Sequence, residues 1–168
     1  MAGVLALGPV GCGFQPMYAR TGPQASPVVA ELAGVRVAGI EDRNGQILRN
    51  ALVSRMTPLG EPSRSTHTLE VILNQTRENL AERDDGKASL GRLFISATFR
   101  LTEYQGETVV LSGTSRSVVS YRLLGPTYGS TAVERDAEKR ALGDLAEDIR
   151  TQVATYFANG KRQTKAGS

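Results

Sequence analysis

The feature that most constrains the fold is a ten-residue stretch, 93–102, in which apolar side chains recur at every second position. The apolar row is Leu93, Ile95, Ala97, Phe99 and Leu101. From residue 96 onward the intervening row is polar and consists of Ser96, Thr98, Arg100 and Thr102. Because successive side chains of a β-strand point to opposite faces, this pattern predicts a strand with one buried and one exposed face.

Three other stretches are predicted to be strands. Residues 69–73 alternate in the same way, and a strand that begins with Val109 and Leu111 runs to Tyr121. A first strand is expected at about 34–41, on its apolar positions Val35, Val37 and Ile40. The turns between the last three strands are expected in the polar segment 77–91, at Asp84-Asp85-Gly86, and at Gln105-Gly106.

Two segments instead carry apolar residues at helical spacing. The first reaches about residue 59, with Asn44 or Asp42 as its expected N-cap, and Pro58 and Gly60 end it. The second occupies about 130–158, with the apolar stripe Val133, Ala137, Ala141, Leu145, Ile149, Val153 and Tyr156. Its opposite, polar face is expected to carry Glu134, Arg135, Glu138, Lys139, Asp148 and Arg150.

This order of elements, β-α-β-β-β-α, predicts an α+β fold. A four-stranded, mostly antiparallel sheet would have both helices packed on one face, which leaves the other face open. On the last two strands the open face is expected to present Phe94, Ser96, Thr98, Arg100, Thr102, Thr108, Val110, Ser112, Thr114, Arg116 and Val118. Such a surface suits contact with a wet, polar wall, and it equally suits a plain solvated sheet face.

The chain of 168 residues divides into one domain and three shorter segments. Residues 34–158 are expected to form the α+β domain, 12–33 a flexible proline-containing tether, and 159–168 a basic, disordered tail. The third short segment is 1–11, before Cys12. The net charge of +3 comes from the tail, because without its three cations the chain has 17 Lys and Arg against 17 Asp and Glu. A neutral body gives no indication of nucleic-acid binding.

Cys12, the only cysteine, follows a short apolar segment and is predicted to be a lipid-attachment residue. A secretory signal places its cleavage site after such a segment. Cleavage before Cys12 would leave it at the new N-terminus, to carry acyl chains such as palmitate. Since residues 1–11 contain no Lys or Arg and Pro9 is atypical, they are expected to be a truncated remnant of the signal peptide. The alternative is an incidental cysteine in an ordinary N-terminus.

No set of residues predicts catalysis, a cofactor or a metal site. His67, the only histidine, has no cysteine or second histidine to share a metal and is expected to be an exposed strand residue. Ser112-Gly113-Thr114 and Asp85-Gly86-Lys87 lack the strand-to-helix context of a phosphate loop. The chain is therefore expected not to be an enzyme.

Three stretches together resemble the lipopolysaccharide-assembly lipoproteins of the LptE family, in their alphaproteobacterial form. The first is Gly-Cys-Gly-Phe-Gln-Pro-Met-Tyr at 11–18. The second is the charged helix start at 42–52, which ends in Leu-Arg-Asn-Ala-Leu. The third runs from Ser120-Tyr121 to Leu145-Ala146-Glu147-Asp148-Ile149. The ordered set covers nearly all of residues 11–158.

The resemblance implies an outer-membrane lipoprotein, anchored on the periplasmic side, that plugs the β-barrel of LptD in a 1:1 complex. It would support barrel assembly and assist lipopolysaccharide insertion at the cell surface. The resemblance also implies lipopolysaccharide binding near the loop between the second and third strands, where Arg83 fits best and Lys87 and Arg92 are close. The alternative for these three residues is ordinary solvated charge.

A different class of function also fits the same features. The chain would then be a periplasm-facing lipoprotein that binds another envelope ligand and has no barrel partner. A cytosolic nucleic-acid-binding domain is disfavoured by the neutral body and by an aromatic content of only 5%.

Overall fold

A computed structural model describes residues 27–58, 60–82, 88–104, 108–123 and 128–166. The described elements, in chain order, are α1 (Pro27–Ala33), β1 (Val35–Val37), α2 (Asp42–Met56), β2 (His67–Glu82), β3 (Ala88–Glu103), β4 (Val109–Arg122) and α3 (Tyr128–Ala166).

The four strands form one sheet in the order β1-β2-β3-β4. β1 runs parallel to β2, and the two following pairs are antiparallel. The predicted α+β class and four-stranded sheet are therefore confirmed, with one parallel pair that makes the sheet mixed. β2 and β3 extend well into the predicted polar segment 77–91. Consecutive residues of β2 here, Glu78, Asn79 and Leu80, are all exposed, so both faces of the strand meet solvent. Polar residues therefore suit a strand in this segment.

The described residues form three helices rather than the predicted two. α1 occupies part of the predicted tether, where Pro27 suits the first turn of a helix and Leu32 is buried in the core. α3 continues to Ala166 and so includes residues 159–166 of the predicted tail. Lys, Arg, Gln and Ala are good helix formers and no proline interrupts them, which is consistent with continuation of the helix.

The start of α2 differs from the predicted N-cap. The helix begins at Asp42, whose φ of 66° lies in the left-handed region, and the preceding Glu41 makes no capping side-chain bond. Asn44 does not cap the helix, since its side-chain amide donates a hydrogen bond to Gln75 Oε1 at 2.8 Å. α2 ends at Met56, where the Thr57 N–H donates to the Val53 carbonyl.

The core lies between the three helices and one face of the sheet. The predicted apolar row of β3, from Leu93 to Leu101, is buried throughout. From α3, five residues of the predicted stripe are buried, namely Ala137, Ala141, Leu145, Ile149 and Val153. The sheet therefore has a covered face beneath the helices and a face without a helix among the described residues.

A β-bulge shifts the pattern at the start of β4. Leu101 pairs with Leu111 and Thr102 pairs with Val109, so Val110 has no partner on β3. The extra residue reverses the expected orientations, since Val109 is exposed and Val110 packs against the core. The prediction of Val110 on the open face was therefore wrong.

Candidate functional site

The surface without a helix, here named the open face, is formed by alternate residues of β2, β3 and β4. From β2 it comprises Thr68, Glu70, Ile72, Asn74, Thr76 and Glu78, from β3 Arg92, Phe94, Ser96, Thr98, Arg100 and Thr102, and from β4 Val109, Ser112, Thr114, Arg116, Val118 and Ser120. Apart from Val110 and Thr108, the residues that the sequence predicted for this surface lie on it.

Hydroxyl groups and unpaired cations dominate the middle of the open face. Thr98 lies between Ile72 on β2 and Thr114 on β4. Arg100 and Arg116 form no ion pair with any residue that the structure describes. Apolar side chains are scattered among them, with Ile72 67% exposed and Val118 56% exposed. Exposed apolar residues that are scattered singly are common on protein surfaces, and these do not form a large contiguous apolar patch.

A shallow cavity of about 220 Å³ lies on the open face towards the β2–β3 hairpin. Its lining includes Asn74, Thr76, Phe94, Ser96, Arg116 and Val118. The Arg92 guanidinium lies over the Phe94 ring, 5.9 Å from its centroid, in a cation–π contact. Arg116 and the Phe94 ring thus line this cavity, and Arg92 lies over the ring beside it.

The predicted lipopolysaccharide-binding residues are described only in part. Arg92 lies on the open face, with Glu78 and Ser120 as its cross-strand neighbours. Arg83 and Lys87 lie outside the described residues, as does the predicted lipidation residue Cys12. The structure therefore brings Arg92 to the hairpin end of the open face.

A polar cluster between helices and sheet was missed by the sequence analysis. Glu138 of α3, predicted to be on the solvent face, is only 7% exposed. Its carboxylate accepts a hydrogen bond from Arg77 and lies 3.8 Å from Arg43, and Gln75 donates to it at 3.4 Å. The signal was available, because Glu138, Leu142 and Ala146 form an i, i+4 row beside the apolar stripe and the last two are buried.

Two aromatic residues of the covered face are explained by packing. Tyr121 is buried over Gly91, and burial together with the negative charge of Glu134 raises the pKa of its phenol. The ring of His67 packs edge-on against Phe157 with centroids 5.1 Å apart, and Thr66 Oγ1 lies 3.0 Å from His67 Nδ1. His67 is half-buried in this contact, so the prediction of an exposed residue was wrong.

Among the described residues, no three His, Cys, Asp or Glu side chains are grouped so that they could hold a metal ion. None of the described helices combines the length and apolar character needed to cross a membrane.

Comparison with protein families gives the decisive match. The family model for lipopolysaccharide assembly, LptE, matches residues 32–153, which is most of the chain and almost the whole α+β domain. The chain belongs to the LptE family. This membership confirms the resemblance carried by the sequence motifs. A comparison with curated proteins finds no match.

Solved structures share the fold of this LptE-family chain. A proposed lipoprotein of Caulobacter crescentus CB15 superposes with a TM-score of 0.67 at 23% identity, covering 78% of this chain and 96% of the other. A minor lipoprotein of Acinetobacter baumannii superposes with a TM-score of 0.59 at 20% identity, covering 73% of this chain and 92% of the other. Lipoprotein B of Nitrosomonas europaea superposes with a TM-score of 0.55 at 16% sequence identity, covering 77% of this chain and 85% of the other.

Membership in the LptE family assigns the chain to lipopolysaccharide assembly as an envelope lipoprotein. The members of this family are components of lipopolysaccharide assembly. The structures of low identity add the fold alone.

Proposed function

We propose that this chain is the outer-membrane lipoprotein that plugs the LptD β-barrel, in a 1:1 complex that supports barrel assembly and lipopolysaccharide insertion at the cell surface. The observation that carries the proposal is the open face, a hydroxyl- and arginine-rich sheet surface on strands of 14 to 16 residues. The lumen of a large outer-membrane barrel is polar, so a plug must present a polar exterior.

The side chains of the open face suit contact with a hydrated, polar surface better than contact with an apolar surface. Threonine and serine hydroxyls each donate one hydrogen bond and accept others, so they can adapt to side chains or to bridging water. Arg100 and Arg116 supply donors for acidic groups on a partner. The scattered apolar residues Ile72, Val109 and Val118 fill gaps in such a contact.

The partner is tested by photocrosslinking in cells. A photoreactive residue at Thr98 or Thr114, neighbours in the centre of the open face, is expected to capture a large β-barrel protein. Thr151, exposed on α3, is the comparison position. Capture from Thr151 but not from Thr98 or Thr114 would reject the open face as the contact. If tagged, detergent-solubilised protein carries no barrel in any variant, the chain is instead a lipoprotein for another envelope ligand.

We also propose that Arg83, Lys87 and Arg92 contact the phosphates of lipid A. The position of Arg92 beside Phe94, at the hairpin end of the open face, supports this because it places a cation next to an aromatic contact surface. Glu78 is the cross-strand neighbour of Arg92, and its negative charge repels an anion. The contribution of Arg92 to phosphate binding therefore depends on the other charges around it at the hairpin.

Lipopolysaccharide binding is tested with a charge-reversed double variant, Arg83→Glu with Lys87→Glu. Its affinity is expected to fall about tenfold or more, since charge-assisted hydrogen bonds to phosphate contribute roughly 1.5–3 kcal/mol each. The control, Arg135→Glu with Lys139→Glu, makes the same change in net charge on exposed residues of α3. Equal affinities of the test and control variants would remove Arg83 and Lys87 from the binding site.

A further inference from the structure

A larger and polar cavity lies at the end of the sheet opposite the β2–β3 hairpin. It has a volume of about 670 Å³ and is lined by Arg36, Glu61, Pro62, Ser63, Arg64, Ser65 and Tyr104. Here it is named the base cavity. β2 begins at its edge and is 16 residues long, so a strand rise of about 3.3 Å places the hairpin about 50 Å away.

The electrostatic balance of the base cavity favours an anion. Arg36 and Arg64 are exposed and form no ion pair with any described residue. Glu61, the single acid of the lining, is paired with Arg49 of α2. The remaining polar groups include the hydroxyls of Ser63, Ser65 and Tyr104, and hydroxyls can donate to a phosphate oxygen.

The chain reaches this end of the sheet directly from its N-terminal side. Gly34, which follows α1, accepts a backbone hydrogen bond from Thr66 at 2.9 Å, and Thr66 is the neighbour of the cavity residue Ser65. α1 is only seven residues long, so Pro27 lies about 10 Å from that contact. The described chain therefore begins near the base-cavity end of the sheet and far from the hairpin.

We propose that the base cavity binds the phosphate of an anionic phospholipid headgroup and seats this end of the domain on the leaflet that holds the lipid anchor. The membrane location rests on the proposed lipidation of Cys12. One acyl anchor with a basic patch binds more firmly than either alone. Tyr104, 45% exposed at the cavity, suits this position because tyrosine rings favour the headgroup level of a membrane.

The test uses the full chain with Cys12→Ser, so that no acyl chain contributes, and vesicles of phosphatidylcholine with or without 30% phosphatidylglycerol. Flotation is expected with the anionic vesicles only and is expected to weaken with salt. Changing both cavity arginines, Arg36→Gln with Arg64→Gln, should weaken partition about 25-fold, since each basic residue near an anionic surface contributes about fivefold. The control is Arg135→Gln with Lys139→Gln on α3.

Three results would overturn the assignment. The first is an equal loss of vesicle partition in the cavity and control variants. The second is no preference of the parent protein for anionic vesicles. The third is binding of inorganic phosphate, measured by calorimetry, without binding to vesicles. The last would identify a site for free phosphate. Because the assay omits the anchor and the barrel, its failure is distinct from a failure of lipidation or of barrel capture.

Discussion

At the scale of single residues, two glycines let aromatic rings lie flat across the covered face of the sheet. Gly91 is the cross-strand neighbour of Tyr121, and Gly113 is the neighbour of Phe99. A Cβ atom at Gly91 would lie 2.6 Å from the Tyr121 ring, and one at Gly113 would lie 2.7 Å from Phe99 Cζ. The rings therefore fill the space that a side chain at either glycine would need.

Replacement of Gly113 by valine is expected to destabilise the fold by about 1–3 kcal/mol, because added volume in a packed core forces neighbouring groups to move. The new Cβ would also approach Gln152 Oε1 to 2.8 Å, so the Gln152 side chain would have to move as well as Phe99. The measurement is the free energy of unfolding in urea. Ser112→Val, one residue away on the open face, is the control, and equal midpoints for the two variants would refute the packing argument.

At the scale of elements, Glu138 joins three parts of the chain. Its carboxylate on α3 contacts Arg77 on β2 and Arg43 on α2, and the Asn44–Gln75 hydrogen bond ties α2 to β2 beside it. Glu138 is nearly buried whereas both arginines are substantially exposed. Solvent therefore weakens each attraction, and the contribution of the cluster comes mainly from satisfying a buried carboxylate.

Glu138→Gln is expected to lower the free energy of unfolding by about 1–2 kcal/mol, since it replaces charge-assisted hydrogen bonds by neutral ones in a buried position. Asp136→Asn is the matched control, because Asp136 pairs with Arg140 at 3.1 Å on the exposed side of α3. Such an exposed pair contributes about 0.5 kcal/mol or less. Urea unfolding of both variants checks this, and an equal loss in each would show that Glu138 has no special role.

At the scale of the whole molecule, the sheet separates two polar ends along its strands. The hairpin end carries Arg92 and leads to Arg83 and Lys87, and the other end carries the base cavity and receives the chain from α1. The open face connects them on one side, and the helices cover the other. A protein of this shape can be held by its N-terminal side and still present a distant surface to a second ligand.

Lipidation of Cys12 is the prediction that applies to the molecule as a whole. Mass spectrometry of the mature N-terminus from membranes is expected to show cleavage before Cys12 and a residue carrying acyl chains. Cys12→Ala should lose the label from a fatty-acid analogue and move to the soluble fraction. Residual membrane binding of that variant through the base cavity would depend on salt. An unmodified Cys12 in membrane-derived protein would contradict lipid anchoring.

The class of the fold and the main packing pattern follow from local patterns in the sequence. Alternation along 93–102 and the stripe from Val133 to Val153 report burial directly, because strand and helix periods differ. Hence the sheet, both long helices and most of the open face were predictable. The LptE family was predictable too, because its motifs are local runs of residues.

Tertiary structure decided what depends on neighbours distant in sequence. The bulge at Val110 is a property of its register with β3, and the burial of Glu138 requires Arg77 from β2. α1 is stabilised by packing of Leu32 into a core made by other elements, since a seven-residue helix is marginal alone. The base cavity likewise exists only because folding brings Arg36, Arg64 and Tyr104 together. Local periodicity reports which side of an element is buried, and only the folded chain shows which polar groups meet.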